Sequence, residues 1–180
     1  FFPLDQLVFA ELYAMQKGMR IDGDVCEIGV YKGKSLTLWS ILRTENERLL
    51  GFDLFADDDE AETNKNLQAY GIPENITLTK GLTSDITSES LNELIQRPMR
   101  FLHIDAGHEY HEVMEQLDIF SPYLADAGVI AMDDYQDREF PGIEAATLDF
   151  SSRDRPRRFV PFLAGGNKMF LCASWLAGMY

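Results

Sequence analysis

Val25-Cys26-Glu27-Ile28-Gly29-Val30-Tyr31-Lys32-Gly33-Lys34-Ser35 runs an apolar strand into a Gly-x-x-x-Gly turn and then into a helix. Glycines in such a turn let backbone approach a ligand closely at the carboxyl edge of a sheet, where open α/β folds bind cofactors. A tight turn with no ligand is the competing reading of the same residues. The spacing is not the Gly-x-Gly-x-x-Gly of dinucleotide sites, in which a helix N-terminus cradles a pyrophosphate. An acid, Glu27, stands two residues before the first glycine instead. A carboxylate there suits an ammonium or sulfonium better than a phosphate.

Outward from that turn, strand and helix alternate, which predicts a parallel sheet with helices on both faces. Before the turn, Leu4, Leu7, Val8, Leu12 and Met15 fall at helical spacing, and Gly18 is a natural stop. The first strand covers 24–28 and the next helix about 32–43. A second strand over 48–54 leads to a polar helix over 57–70 closed by Gly71, then a third strand over 75–80. A helix through 91–95, a strand over 100–105, a helix over about 110–124 and a strand over 128–133 follow. After a short helix over roughly 143–150 the rhythm breaks. Residues 158–163 and 168–173 flank Gly165-Gly166-Asn167 and read as a β-hairpin. The expectation is one domain over 1–180, an N-terminal helix within 1–20 and a seven-stranded core over 24–174.

Acids outnumber bases 30 to 16, for a formal charge of −14. Such a field repels nucleic acid and anionic membranes as partners. No apolar run approaches the roughly 18–20 residues of a membrane span. Cys26 and Cys172 sit in apolar strands and read as buried thiols of a reducing compartment, so a cytoplasmic protein is expected. The chain opens at Phe1 rather than Met, as a trimmed or partial N-terminus would. The apolar first helix also suits a homo-oligomer contact.

The second strand ends in Gly51-Phe52-Asp53, and an acid there is placed to accept both hydroxyls of a ribose. A solvated or helix-capping Asp is the plainer account. Glu27, Gly29, Gly33 and Asp53 together describe a site for an adenosyl ligand without a pyrophosphate. The loop Gly81-Leu82-Thr83-Ser84-Asp85 is placed to flank an adenine, with Leu82 on the ring and Ser84 or Asp85 at its amino group, or else it caps the next helix. Asp105 closes the fourth strand and Asp133-Asp134 the fifth, so parallel neighbours bring three carboxylates to one edge. Like charges so close repel unless a cation sits among them, and oxygen donors suit Mg²⁺, Mn²⁺ or Ca²⁺. His108 lies in the turn after Asp105 and suits a general base, with an ordinary imidazole pKa of about 6.5. His103 reads as a hydrogen-bonded interior residue, and His111 as solvated.

The stretches Phe101-Leu102-His103-Ile104-Asp105-Ala106-Gly107-His108-Glu109-Tyr110 and Ala127-Gly128-Val129-Ile130-Ala131-Met132-Asp133-Asp134-Tyr135 carry a resemblance. With the glycine turn they make the chain similar to Rossmann-like S-adenosylmethionine methyltransferases, most like the macrocin-type sugar O-methyltransferases. The resemblance runs from about Asp24 to Cys172. It implies a three-layer α/β sandwich with an antiparallel last strand. It implies S-adenosylmethionine held by Glu27, Gly29, Gly33, Ser35, Asp53, Leu82, Ser84 and Asp105. It further implies a magnesium-type ion on Asp105, Asp133 and Asp134 that also contacts the acceptor hydroxyl, with His108 as base beside Asp105. The acceptor would be a small hydroxylated molecule. Only about 20 residues precede the first strand, where that subgroup commonly carries a longer arm or lid. A catechol-type methyltransferase is a near neighbour that differs only in acceptor. An NAD-type oxidoreductase and a non-catalytic adenosyl-binding module are the rival readings.

Overall fold

The glycine turn leaves the third strand of a seven-stranded sheet in the computed structural model, which describes residues 2–70, 75–154 and 156–180. The strands are β1 (Asp24–Ile28), β2 (Leu49–Asp53), β3 (Ile76–Lys80), β4 (Met99–Ile104), β5 (Leu124–Met132), β6 (Phe159–Gly165) and β7 (Lys168–Ala173). They lie in the order β3-β2-β1-β4-β5-β7-β6. The pairs among β1 to β5 are all parallel, and β7 runs antiparallel to both β5 and β6. The strand order reverses beside β1, which puts the glycine turn at the crevice where open α/β sheets bind ligands.

Helices α1 (Pro3–Gly18), α2 (Lys34–Leu42) and α3 (Asp59–Ala69) cover one face, and α4 (Ser88–Leu94), α5 (Tyr110–Phe120) and α6 (Pro141–Ser152) the other. Because both faces are covered, β1 and β4 are buried at every position. Cys26, Ile28, Leu102, Ile104, Ile130 and Met132 pack on Val113, Leu117, Phe120 and Phe150. The alternate residues Val25, Phe101, Val129 and Phe170 pack on Phe9, Leu12, Leu36 and Trp39. The Trp39 and Phe9 rings approach Phe101 to 4.4 and 5.0 Å. Each such side chain contributes roughly 1.5–3 kcal/mol by leaving water. Arg100, fully buried on β4, ties this face together by donating to Glu47 and to Gln16 of α1.

Several boundaries differ from expectation, most of all at the junction of α5 and β5. The helix expected to reach 124 ends at Phe120, followed by a 3₁₀ turn at Ser121–Tyr123. Pro122 lacks an amide proton and disfavours helix in the residue before it, so the chain leaves the helix and begins β5 at Leu124. α6 begins at Pro141, earlier than 143, with proline in the first helical turn where its missing N–H costs nothing. The hairpin forms as read, with Gly166 at φ +65° in its turn. The expected helix stop at Gly71 lies outside the described residues. Cys26 and Cys172 are buried free thiols. Among the described residues no helix is long and apolar enough to cross a membrane.

Candidate active site at the carboxyl edge of the sheet

The glycine turn is shaped first by the protein's own chain. Gly29 has φ +88°, and a Cβ there would lie 1.9 Å from the carbonyl oxygen of Asp105. Only glycine lets β1 turn so close to the end of β4. Gly33, at φ +73°, opens α2, and a Cβ there would lie 2.8 Å from Thr63 Cγ2 of α3. Asp53 at the end of β2 then braces the turn: its Oδ2 accepts the Tyr31 N–H at 2.7 Å and its Oδ1 the Phe55 N–H at 2.6 Å. A carboxylate has about four acceptor positions, so each oxygen keeps capacity for another donor. Beside Asp53 opens a cavity of about 470 Å³, lined by Ile28, Leu54, Leu82, Ser84, Gly107 and His111 among others. That volume fits a ligand of cofactor size. His111, expected to be solvated, is exposed at its wall.

Glu27 and Ser35 do not line this cavity. Glu27 pairs in register with His103 across β1 and β4, on the face that α1 and α2 cover. It is 0 % exposed, accepts the Ser35 hydroxyl, and lies 2.7 Å from His103 Nδ1. The structure thus turns both residues into the interior, where they brace the sheet. Glu27 lies on the same face of the sheet as Asp105 and Asp133, two residues deeper, and its Oε2 is buried without a hydrogen-bond partner among the described residues.

The acidic strand ends do converge. The Asp105 N–H donates to Ile28 and the Asp133 N–H to Ile104, continuing the parallel ladder to the edge. One ligand atom each from His103, Asp105 and Asp133 lies within 4.8 Å of the others. Burial raises the Asp105 carboxyl to about 8, and the neighbouring Asp133 charge adds to it. Burial also opposes a charged His103, yet its bonds to Asp133 and Glu27 prevail and lift it to about 9. Asp133 is held far below the usual carboxylate range. Burial works against its charge, but His103 and then Asp105 and Lys168 outweigh that penalty.

Asp134 takes a different place from the other two. With φ +50° it turns so that Oδ1 accepts the Asn167 side-chain amide at 2.6 Å, and Oδ2 lies 3.6 Å from His108 Nε2. His108 stacks on Phe140 at 4.0 Å and is 38 % exposed. A cleft of about 10 Å³, close to the volume one water or ion needs, is lined by Asp105, His108, Asp133 and Asp134. Asp105, His108 and both aspartates of β5's end therefore share one cleft, but the tight group is Asp105, Asp133 and His103. The sequence reading missed Lys168 and Asp5. Lys168, fully buried at the start of β7, is ion-paired with Asp133 and lies 3.9 Å from Asp5 of α1. The only hint in the sequence is a lysine opening an otherwise apolar strand, Lys168-Met169-Phe170-Leu171-Cys172-Ala173.

A family model described as a methyltransferase domain matches residues 26–135. The chain is 28% identical over 113 residues to uncharacterized protein R132 of Acanthamoeba polyphaga mimivirus, covering 62% of this chain and 51% of that protein. It thus spans about half the length of that curated relative. Among solved structures, the apo form of CalS11, a TDP-rhamnose 3'-O-methyltransferase of calicheamicin biosynthesis, aligns with TM-score 0.76 and 21% identity. That alignment covers 93% of this chain and 78% of CalS11. The O-methyltransferase TomG from Streptomyces achromogenes, solved with S-adenosylmethionine, aligns with TM-score 0.64 and 12% identity, covering 91% and 78%.

Proposed function

Because the chain belongs to the family described as a methyltransferase domain, we propose that it methylates a hydroxyl of a small molecule from S-adenosylmethionine, with a hard divalent cation at the acidic strand ends. The observation that carries this reading is the juxtaposition of the two clefts. An adenosyl-sized cavity walled by Asp53 and Leu82 shares the Ala106-Gly107 loop with the cleft of Asp105, His108, Asp133 and Asp134. The donor capacity left on Asp53 fits a ribose diol, and half-exposed Leu82 offers an apolar face to an adenine. Gly29 and Gly33 serve the cofactor by shaping the turn, and Ser84 flanks the base. Two carboxylates within 4.8 Å of one another are a donor set for Mg²⁺ or Mn²⁺, with Asp134 at the mouth of the same cleft.

When bound, the sulfonium would supply an electrophilic methyl group, and a divalent ion held by Asp105 and Asp133 would lower the hydroxyl pKa from that of a water-like alcohol, about 15.7. His108 Nε2 accepts the proton as the acceptor oxygen forms its bond to the methyl carbon and the carbon–sulfur bond breaks, leaving S-adenosylhomocysteine. Asp134, 3.6 Å away, stabilises the imidazolium so formed. Phe140 holds the ring in place by stacking. The likeness to CalS11, named for a TDP-rhamnose, favours a sugar-bearing acceptor over a catechol.

A calorimetric titration with S-adenosylhomocysteine, with and without Mg²⁺, tests the proposal. Binding in the micromolar range is expected, with methyl transfer to a glycosylated acceptor lost on adding EDTA. Absence of any S-adenosylhomocysteine binding would end it.

A further inference from the structure

Lys168 stands where a cation is wanted. It is the first residue of β7, whose next residue, Met169, pairs in register with Met132, so the lysine comes to lie beside Asp133. Its side chain is 0 % exposed and ion-paired with Asp133 Oδ2, which also lies 3.5 Å from His103 Nε2. The other oxygen, Oδ1, accepts the Asp134 N–H at 2.8 Å. Both oxygens of Asp133 are therefore engaged. Behind the ammonium, Asp5 of α1 lies 3.9 Å away. The hairpin turn admits Asp5 only because residue 166 is glycine, since a Cβ there would lie 2.0 Å from Asp5 Oδ1. Lys168 is held between carboxylates from two different elements, at a distance from solvent, and withdrawing from Asp133 means repacking against α1.

We infer that Lys168 is a built-in cation that competes with the divalent ion for Asp133. Asp105 offers the ion its first carboxylate, and Asp133 enters its coordination only by releasing the lysine. One ammonium brings a single charge and three hydrogen-bond donors but no open coordination position, so it neutralises Asp133 without replacing the ion. The ion is accordingly bound weakly by the protein alone. This inference rests on the metal half of the proposed function.

The experiment is a titration of the full chain with Mn²⁺ alone, read by the electron paramagnetic resonance of the free ion. The proteins are wild type, Lys168→Met, Lys168→Arg and the double variant Asp5→Asn/Lys168→Met, with circular dichroism as the check of fold. Lys168→Met should bind Mn²⁺ at least about tenfold more tightly, because an opposed charge and a competitor leave together. Lys168→Arg, which keeps the charge, should stay near wild type. If Lys168→Met does not fold, the double variant decides. It removes one charge of each sign, so tighter binding there reports a freed Asp133 rather than a changed field. Unchanged or weaker binding in a folded Met variant overturns the inference while leaving the metal site standing, since wild type still binds. No Mn²⁺ binding by any variant overturns both, and the S-adenosylhomocysteine titration then tells whether the cofactor site survives.

Discussion

At the scale of single residues, the site divides into groups that face the clefts and groups that only look as if they should. Asp53, Asp105 and Asp133 were legible because an acid at the carboxyl end of a parallel strand reaches the same edge whatever the rest of the chain does. The partners of Glu27 were not, since it lies on the same face but short of the strand's end, where it meets Ser35 and His103 in the interior. The difference is measurable. Asp53→Ala removes the brace of Tyr31 and Phe55 as well as the proposed ribose acceptor, and S-adenosylhomocysteine affinity should fall by about ten- to a hundredfold, on the scale of one or two hydrogen bonds to a charged group. Glu27→Gln should leave that affinity within a factor of about three and instead lower the melting temperature, because a buried partner of His103 loses its charge. His108→Ala should cut turnover by about 10²–10⁴ with cofactor affinity unchanged, as expected of a general base. Turnover within twofold of wild type would remove His108 from the chemistry.

At the scale of elements, periodicity located every strand, and the errors fall where one residue overrules it. Pro122 ended α5 early and lengthened β5. The docking of α1 was legible only as an apolar stripe. Its partners were not, because Phe9 meets Phe101 of β4 and Asp5 meets Lys168 of β7, contacts that span half of the chain or more. Long-range pairs of this kind leave no local pattern. Phe9 is fully buried against Trp39, Phe101 and His103. Phe9→Ala should therefore cost about 3–5 kcal/mol in urea unfolding, the range for a large core ring. A loss below about 1 kcal/mol, the size of a typical surface effect, would mean that α1 is not part of the cooperative core.

At the scale of the whole molecule, the two buried thiols contribute to its response to alkaline pH. Burial raises Cys172 to about 11, and burial with the Glu27 and Asp24 charges raises Cys26. At pH 8 a thiol with that pKa is roughly 0.1 % thiolate, so the folded protein should not react with a thiol reagent until denatured, when both cysteines should react. Any prompt reaction of the native protein would show that one strand opens. The linkage runs the same way. The folded state keeps protons that the unfolded thiols release near about 8.5, so this contribution to stability is full below that pH and fades as pH climbs toward the folded values.

The absent methyl group at Gly29 has a consequence on that same scale. With only a hydrogen between them, the glycine turn and the backbone that presents Asp105 are in direct contact. A change that retunes either one disturbs its neighbour. Selection for a new acceptor would then leave this seam alone and work through the exposed segment 136–139 beyond it.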